Sequence, residues 1–313
     1  MHPPHVSYYR ALHRQTLHHT LSTMKKAIIT ILSSAVLGAL QLTAHDNAPQ
    51  KLPDGRVLVW HDEFNGKKLN PKKWKHELGV IRNYGAAQTY TKEAVRLSNG
   101  KLIITTKAKE TPNANFSPGS TDWRKQRKSM PYSSGSVTTQ GIKNFYHGRL
   151  EVRAKVPGNK GAWPAIWLIC DNGWGWPACG EIDVMEHASQ HKDCCYATFH
   201  WGRNGGTHND YDSKMPHRPG MTNGFHVYSM EWTYKEIILE MDGVVTNRFD
   251  ISRTEYPNGK NPFRTPAYLI INTAVGGPGT MTEAPDASQY PCTFEIDYVR
   301  FYAHPNNKKP GKK

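Results

Sequence analysis

The stretch GEIDVMEH, Gly180 to His187, decides how this chain is read. Three carboxylates, Glu181, Asp183 and Glu186, sit in a segment otherwise as apolar as a buried strand. Successive side chains of a strand point to opposite faces, so a spacing of two keeps Glu181 and Asp183 together. The following spacing of three sends Glu186 to the other face unless one extra residue is inserted. A β-bulge at Val184-Met185 supplies that residue. All three acids then share a face, while Ile182 and at least one of Val184 and Met185 pack inward. Three like charges on one face repel each other, so a structural motive for them is hard to find.

The surroundings are apolar and aromatic. In the preceding strand, AWPAIWLIC (162–170), alternation puts Trp163, Ala165, Trp167 and Ile169 on one face. Pro164, Ile166, Leu168 and Cys170 fall on the other, so one of two apolar faces is left to line a groove. Trp174 and Trp176 precede the acids and His200-Trp201 follows them. Indole faces beside carboxylates suit a sugar polymer, stacking on pyranose C–H groups while acids reach the glycosidic oxygen. Glu181 is assigned as nucleophile, Glu186 as general acid/base and Asp183 as the supporting acid, whose charge helps keep one Glu protonated. On an extended strand Glu181 and Glu186 start roughly 13 Å apart at Cα, so curvature and long side chains must bring them to the ~5–5.5 Å of a retaining pair.

The rest of the chain is a succession of strand-like runs. These include RVLVWHDEF (56–64), KLIITTK (101–107), SGSVTTQ (134–140), GRLEVRAKV (148–156), YATFHWG (196–202), HVYSMEW (226–232), PAYLIINTAV (266–275) and TFEIDYVRFY (293–302). EIILEMDGVVTNRF is a hairpin turning at Asp242-Gly243. Residues 108–133 read as a long surface loop. Strands at this density predict an all-β sandwich or barrel. The 313 residues are enough for a sizeable core, and fifteen Tyr and nine Trp exclude a disordered or fibrous class.

At the N-terminus, MKKAIITILSSAVLGALQLTA (24–44) has the two lysines, short apolar run and terminal small residue of a secretory signal peptide. The apolar run falls short of a membrane span, and an N-terminal anchor helix is the alternative. Residues 1–23 do not fit in front of a signal peptide and read as an upstream segment outside the native mature protein. This leaves one domain over 45–305 and a basic tail over 306–313, in a secreted, periplasmic or surface-exposed monomer. Removing 1–44 strips four basic and no acidic residues, so the formal charge falls from +14 to +10. With no basic helix or zinc-finger spacing beside it, that charge does not indicate nucleic acid. The five cysteines leave at least one unpaired; Cys170 and Cys179 could close a short loop, and connectivity stays open. His187, His191, Cys194, Cys195 and His200 match no common zinc spacing.

The segments HDEFNG, LSNGKLIITT, YHGRLEVRAKVP, WPAIW, WPACGEIDVMEH, FHVYSMEWT, PFRTPAYLIINTAVGG and EIDYVRFY, in this order, resemble glycoside hydrolase family 16. Within it they look like the laminarinase-like β-glucanases, the six-residue E-I-D-x-x-E marking the bulged branch. The resemblance covers about Leu58 to Tyr302. It implies a β-jelly-roll of two curved antiparallel sheets with a concave cleft, a retaining mechanism, and the roles assigned above. It also implies that Trp163, Trp167 and Trp176 are sugar-stacking walls and that His200 faces the acids. Asn83 stands where relatives read N-x-E-L-Q-Y-Y-T, and the departure here (Asn83 to Thr91 reads NYGAAQTYT) puts the preferred linkage in question. A structural Ca2+ is implied at Glu63, the Gly100 carbonyl and Asp297; the plain alternative is that both acids are surface residues. The expected substrate is a β-1,3- or mixed β-1,3-1,4-glucan. A sulfated or neutral galactan, a transglycosylase, and a non-catalytic binding jelly roll are the competing readings.

Overall fold

The computed structural model describes residues 48–82 and 84–304. The upstream segment 1–23, the signal-like segment 24–44, the tail 306–313 and Asn83 lie outside the described residues. Among the described residues seventeen strands carry the fold. They are β1 (Val57–Asp62), β2 (Lys75–His76), β3 (Gln88–Tyr90), β4 (Val95–Ser98), β5 (Lys101–Pro112), β6 (Ser129–Ser134), β7 (Ser136–Thr138), β8 (Gly148–Lys155) and β9 (Ala162–Cys170). Then follow β10 (Glu181–Glu186), β11 (Tyr196–Gly202), β12 (Asn209–Lys214), β13 (His226–Trp232), β14 (Glu236–Met241), β15 (Val244–Asp250), β16 (Ala267–Val275) and β17 (Cys292–Ala303).

They form two sheets. A seven-stranded sheet runs β12-β11-β10-β9-β16-β7-β2, and a ten-stranded sheet has the spine β15-β14-β13-β8-β17-β5-β6-β3, with β1 on β17 and β4 on β5. From Ala48 onward the chain is one unit. Neither sheet closes on itself, and the two face each other across a single core, the jelly-roll sandwich expected. All pairings are antiparallel except one: β3 runs parallel to β6, so the ten-stranded sheet is mixed.

β8 shows why these residues make strands. Leu150, Val152 and Ala154 point into the core while Arg149, Glu151 and Arg153 stay half-exposed. From the other sheet come Ile166, Leu168 and Cys170 of β9, with Ile182, Val184 and Met185 of β10. The β14–β15 hairpin turns at Asp242-Gly243, both with positive φ (52° and 76°), as an Asp-Gly turn requires.

The surface loop read over 108–133 is shorter than expected. β5 continues through Pro112 and β6 resumes at Ser129, leaving only 113–128, which holds the short helix α1 (Trp123–Gln126). Lys107 to Glu110 are all exposed, so this projecting hairpin has no buried face to write an alternation into the sequence. β12 was unread for the same reason: none of its residues is buried.

All five cysteines are free thiols, and Cys170 with Cys179 closes no loop. The proposed calcium donors are committed elsewhere. Glu63 accepts from Arg300 through both oxygens, Nε at 3.0 Å and Nη2 at 2.8 Å, in a buried bidentate pair. Asp297 accepts from Arg153. Two carboxylates already neutralised by guanidinium groups do not fit a hard-cation cage, and Glu63 and Asp297 are buried acids rather than surface residues. Gly100, with φ 66°, turns between β4 and β5.

Candidate active site

The decisive local feature is the β10 bulge. Against β11, Asp183 pairs with Thr198 and Glu186 with Tyr196: three steps on one strand oppose two on the other. Against β9, Asp183 pairs with Trp167 and Met185 with Ile166, so Val184 is the extra residue. Val184 and Met185 both enter the core, and Glu186 returns to the face of Glu181 and Asp183. Gly180 starts the strand at φ 84°, and a Cβ there would come within 2.8 Å of Pro262, so only glycine delivers Glu181 at this angle.

Glu181, Asp183 and Glu186 line one cavity of about 290 Å³ with Trp163, Trp176 and His200. Each outer Glu is held by an indole N–H: Trp163 Nε1 donates to Glu186 Oε1 at 2.9 Å, and Trp176 Nε1 donates to Glu181 Oε2 at 2.7 Å. Asp183 is 2% exposed, and its Oδ2 accepts no hydrogen bond. His200 Nε2 lies 3.5 Å from that oxygen, and the other ring nitrogen is held by the Asn209 amide at 3.2 Å. One atom each of Glu181, Asp183 and His200 fall within 4.8 Å of one another.

Crowding and burial raise the proton affinity of Asp183 and Glu186. Burial, then the charges of Glu181 and Glu186, push Asp183 well above the usual carboxylate range. Burial and the charge of Glu181 push Glu186 up to about 7, against the opposing bond from Trp163. A carboxyl protonated near neutral pH is equipped to act as a general acid.

The predicted aromatics divide. Trp163 and Trp176 reach the acids, and Trp176, at 54% exposure, offers an open face. Trp167 is only 8% exposed. Its Nε1 donates to Asn272 Oδ1 at 2.7 Å and the Arg82 guanidinium covers its ring at 4.9 Å, which makes it floor rather than open stacking wall. Trp174 packs on Tyr256 with Lys260 over its ring.

A larger cavity of about 730 Å³, sharing Trp167, Trp176 and Glu181 with the first, continues the groove past Trp174 to residues the sequence reading missed: Arg82, Trp123, Arg124 and Tyr268. Glu77 holds Arg82 in a bidentate pair, at 2.8 and 2.5 Å. Trp123 and Arg124 come from α1, inside the segment read as loop. A lone Trp amid its polar residues was the only available signal. The His/Cys set does not converge: His187 bonds the Cys194 carbonyl, Cys195 is in the core, and His200 faces Asp183.

A model of the glycosyl hydrolases family 16 matches residues 83–300. The chain belongs to this family. Among its relatives, glucan endo-1,3-beta-glucosidase A1 of Niallia circulans is 36% identical over 79% of this chain and 38% of its own length. The beta-glucanase of Rhodothermus marinus is 33% identical over 78% of this chain and 84% of its own. A solved structure from work on gut microbes that express endo-acting O-glycanases to initiate mucin breakdown is 49% identical, with TM-score 0.80, covering 82% of this chain and 94% of that one. As a family 16 glycoside hydrolase, the chain thus spans well under half of the first relative. No helix among the described residues is long and apolar enough to cross a membrane.

Proposed function

We propose that this family 16 hydrolase is a retaining endo-β-glycanase, with Glu181 as nucleophile and Glu186 as acid/base. The observation that carries this is the single-residue bulge, which turns Glu186 onto the face of Glu181 in an open groove. In the first step the Glu181 carboxylate attacks the anomeric carbon as Glu186 gives its proton to the departing glycosidic oxygen. In the second, the Glu186 carboxylate takes a proton from water, which displaces Glu181 and returns a hemiacetal of unchanged configuration. Trp176 and Trp163 hold the two carboxyls through their indole N–H groups, and Asp183 lies buried between them on the same face, its own proton affinity raised by burial and by both glutamates.

A β-1,3- or mixed-linkage glucan is the first substrate reading, supported by the glucanase relatives. The O-glycan backbone is the second: the identity of 49% to the O-glycanase structure exceeds the 36% and 33% to the two glucanases. The signal-like sequence supports export, and a secreted or periplasmic monomer is part of this proposal.

The test is a reducing-end assay of the native chain and Glu181→Ala on barley β-glucan, laminarin, agarose and desialylated mucin. Glucan cleavage that vanishes in the variant supports the first reading; cleavage of mucin glycans alone supports the second. No cleavage of any polymer would overturn the enzyme assignment.

A further inference from the structure

A second groove, of about 960 Å³, lies along the β2 edge of the sandwich, walled by the β1–β2 connection, β2 and the β3–β4 connection. Five cations line it, Lys67, Lys68, Lys75, Lys92 and Arg96, against one acid, Glu93. All six are exposed, and none of the five cations has an ion-pair partner within 4.0 Å among the described residues. Some cations elsewhere on the surface are paired with an acid, as in Lys101–Glu295, Arg203–Asp210 and Arg248–Glu236, whereas here five cations surround a single acid. Five like charges around one depression repel each other, and a bound polyanion relieves that repulsion. The field is felt inside the groove: burial first, and then the Lys92 charge, lower the pKa of His76.

The groove is separate from the catalytic cleft. β2 is four strand positions from β10 across β7, β16 and β9, roughly 19 Å at ~4.8 Å per strand. Glu77, next after β2, turns to Arg82 and Ser136 on the cleft side, so His76 faces the opposite way. The floor is aliphatic, made of half-buried Leu69, Val95 and Leu97. The lining indole, Trp74, is 2% exposed and its Nε1 donates to Asp62, so it offers no face on which a nucleobase could stack.

We propose that this basic groove is a second glycan-binding site, which holds a sulfated carbohydrate chain by its anionic groups and so tethers the polymer beside the cleft. That the occupant is a carbohydrate rests on the glycanase reading above; that it is anionic rests on the groove alone. The apolar floor receives pyranose C–H faces while the lysines and Arg96 take the sulfates.

The probes are dextran sulfate and unsulfated dextran, whose α-linked chains keep cleavage in the cleft out of the readout. Retention in affinity electrophoresis is measured for the native chain, for Lys68→Glu/Lys92→Glu/Arg96→Glu, and for the neutral set Lys68→Gln/Lys92→Gln/Arg96→Gln. The native chain is expected to bind dextran sulfate and not dextran, less tightly as salt rises. The charge-reversed variant should lose about tenfold or more, the neutral set less, the sizes expected for three exposed charge contacts. Both variants should hydrolyse a neutral β-oligosaccharide as the native chain does. Equal retention of native and charge-reversed chains would overturn the proposal, as would tighter binding of a single-stranded oligonucleotide at matched charge. Failure of the glycanase reading shows separately, as no hydrolysis of any β-glycan with the binding difference intact.

Discussion

Replacing Glu186 by Gln removes one of three crowded acids while keeping its shape and an oxygen to accept from Trp163 Nε1. The proton affinity of Glu186 is raised in the folded state, from 4.5 to about 7, so the native protein binds a proton there more tightly than the unfolded chain does. Stability from this group is therefore fully present below pH ~4.5 and is lost as pH rises through ~7. A displacement of that size corresponds to about 3 kcal/mol of destabilisation above pH 7, at ~1.4 kcal/mol per unit. Glu186→Gln should recover most of it, about 2–3 kcal/mol at pH 8, or roughly 4–10 °C in melting temperature for a domain of this size. Thermal melts at half-unit steps from pH 4.5 to 8.5 test this. The native protein should lose stability across the window, while the variant loses the part of the slope due to Glu186 and keeps the part due to Asp183. The same variant should hydrolyse polymer at least about 100-fold more slowly, as expected for loss of a general acid. A variant less stable than the native chain at pH 8, or with an unchanged pH slope, would refute the argument that burial and the Glu181 charge hold Glu186 protonated.

Three further outcomes are expected. Deleting Val184 removes the bulge residue and leaves Glu-Ile-Asp-Met-Glu in strict alternation, with all three acids still on one face and Met185 alone packed inward; hydrolysis should persist at a reduced level, and denaturant titration should show a loss of about 1.5–3 kcal/mol for the buried valine side chain. Trp176→Ala takes away an exposed stacking face and the bond to Glu181, so KM should rise about 2–10-fold and kcat should also fall in steady-state kinetics on an oligosaccharide. Arg300→Leu strands the buried Glu63 carboxylate beside His61 and should cost about 3–5 kcal/mol by urea unfolding; calcium titration should not restore it, since the site is built for a guanidinium.

Much of the cleft was legible because its signals are local. The spacings of two and three in GEIDVMEH encode the bulge directly, since the period of a strand is fixed by backbone geometry and Val184 and Met185 are both apolar enough to fill the core. The alternation in AWPAIWLIC likewise separated Ile166, Leu168 and Cys170 from Trp163 and Trp167, and the structure puts the first three in the core and the two tryptophans on the cleft side. The roles drawn from that arrangement remain for the variants to test.

What the sequence by itself determined is most of the core strands, the sandwich and the acids that share a face, because each depends on neighbours along one strand. Only the tertiary structure decided the remainder. Arg82 over Trp167, Trp123 at the far end of the groove, and the Arg300–Glu63 pair join residues far apart in the chain, and no local period records such contacts. The raised proton affinity of Glu186 needs burial under Trp163 and the charge of Glu181 across the bulge. The basic groove on the β2 edge is of the same kind: its lysines are scattered between 67 and 92, and they become one electrostatic surface only when β2 and β4 are brought to the same side of the sandwich.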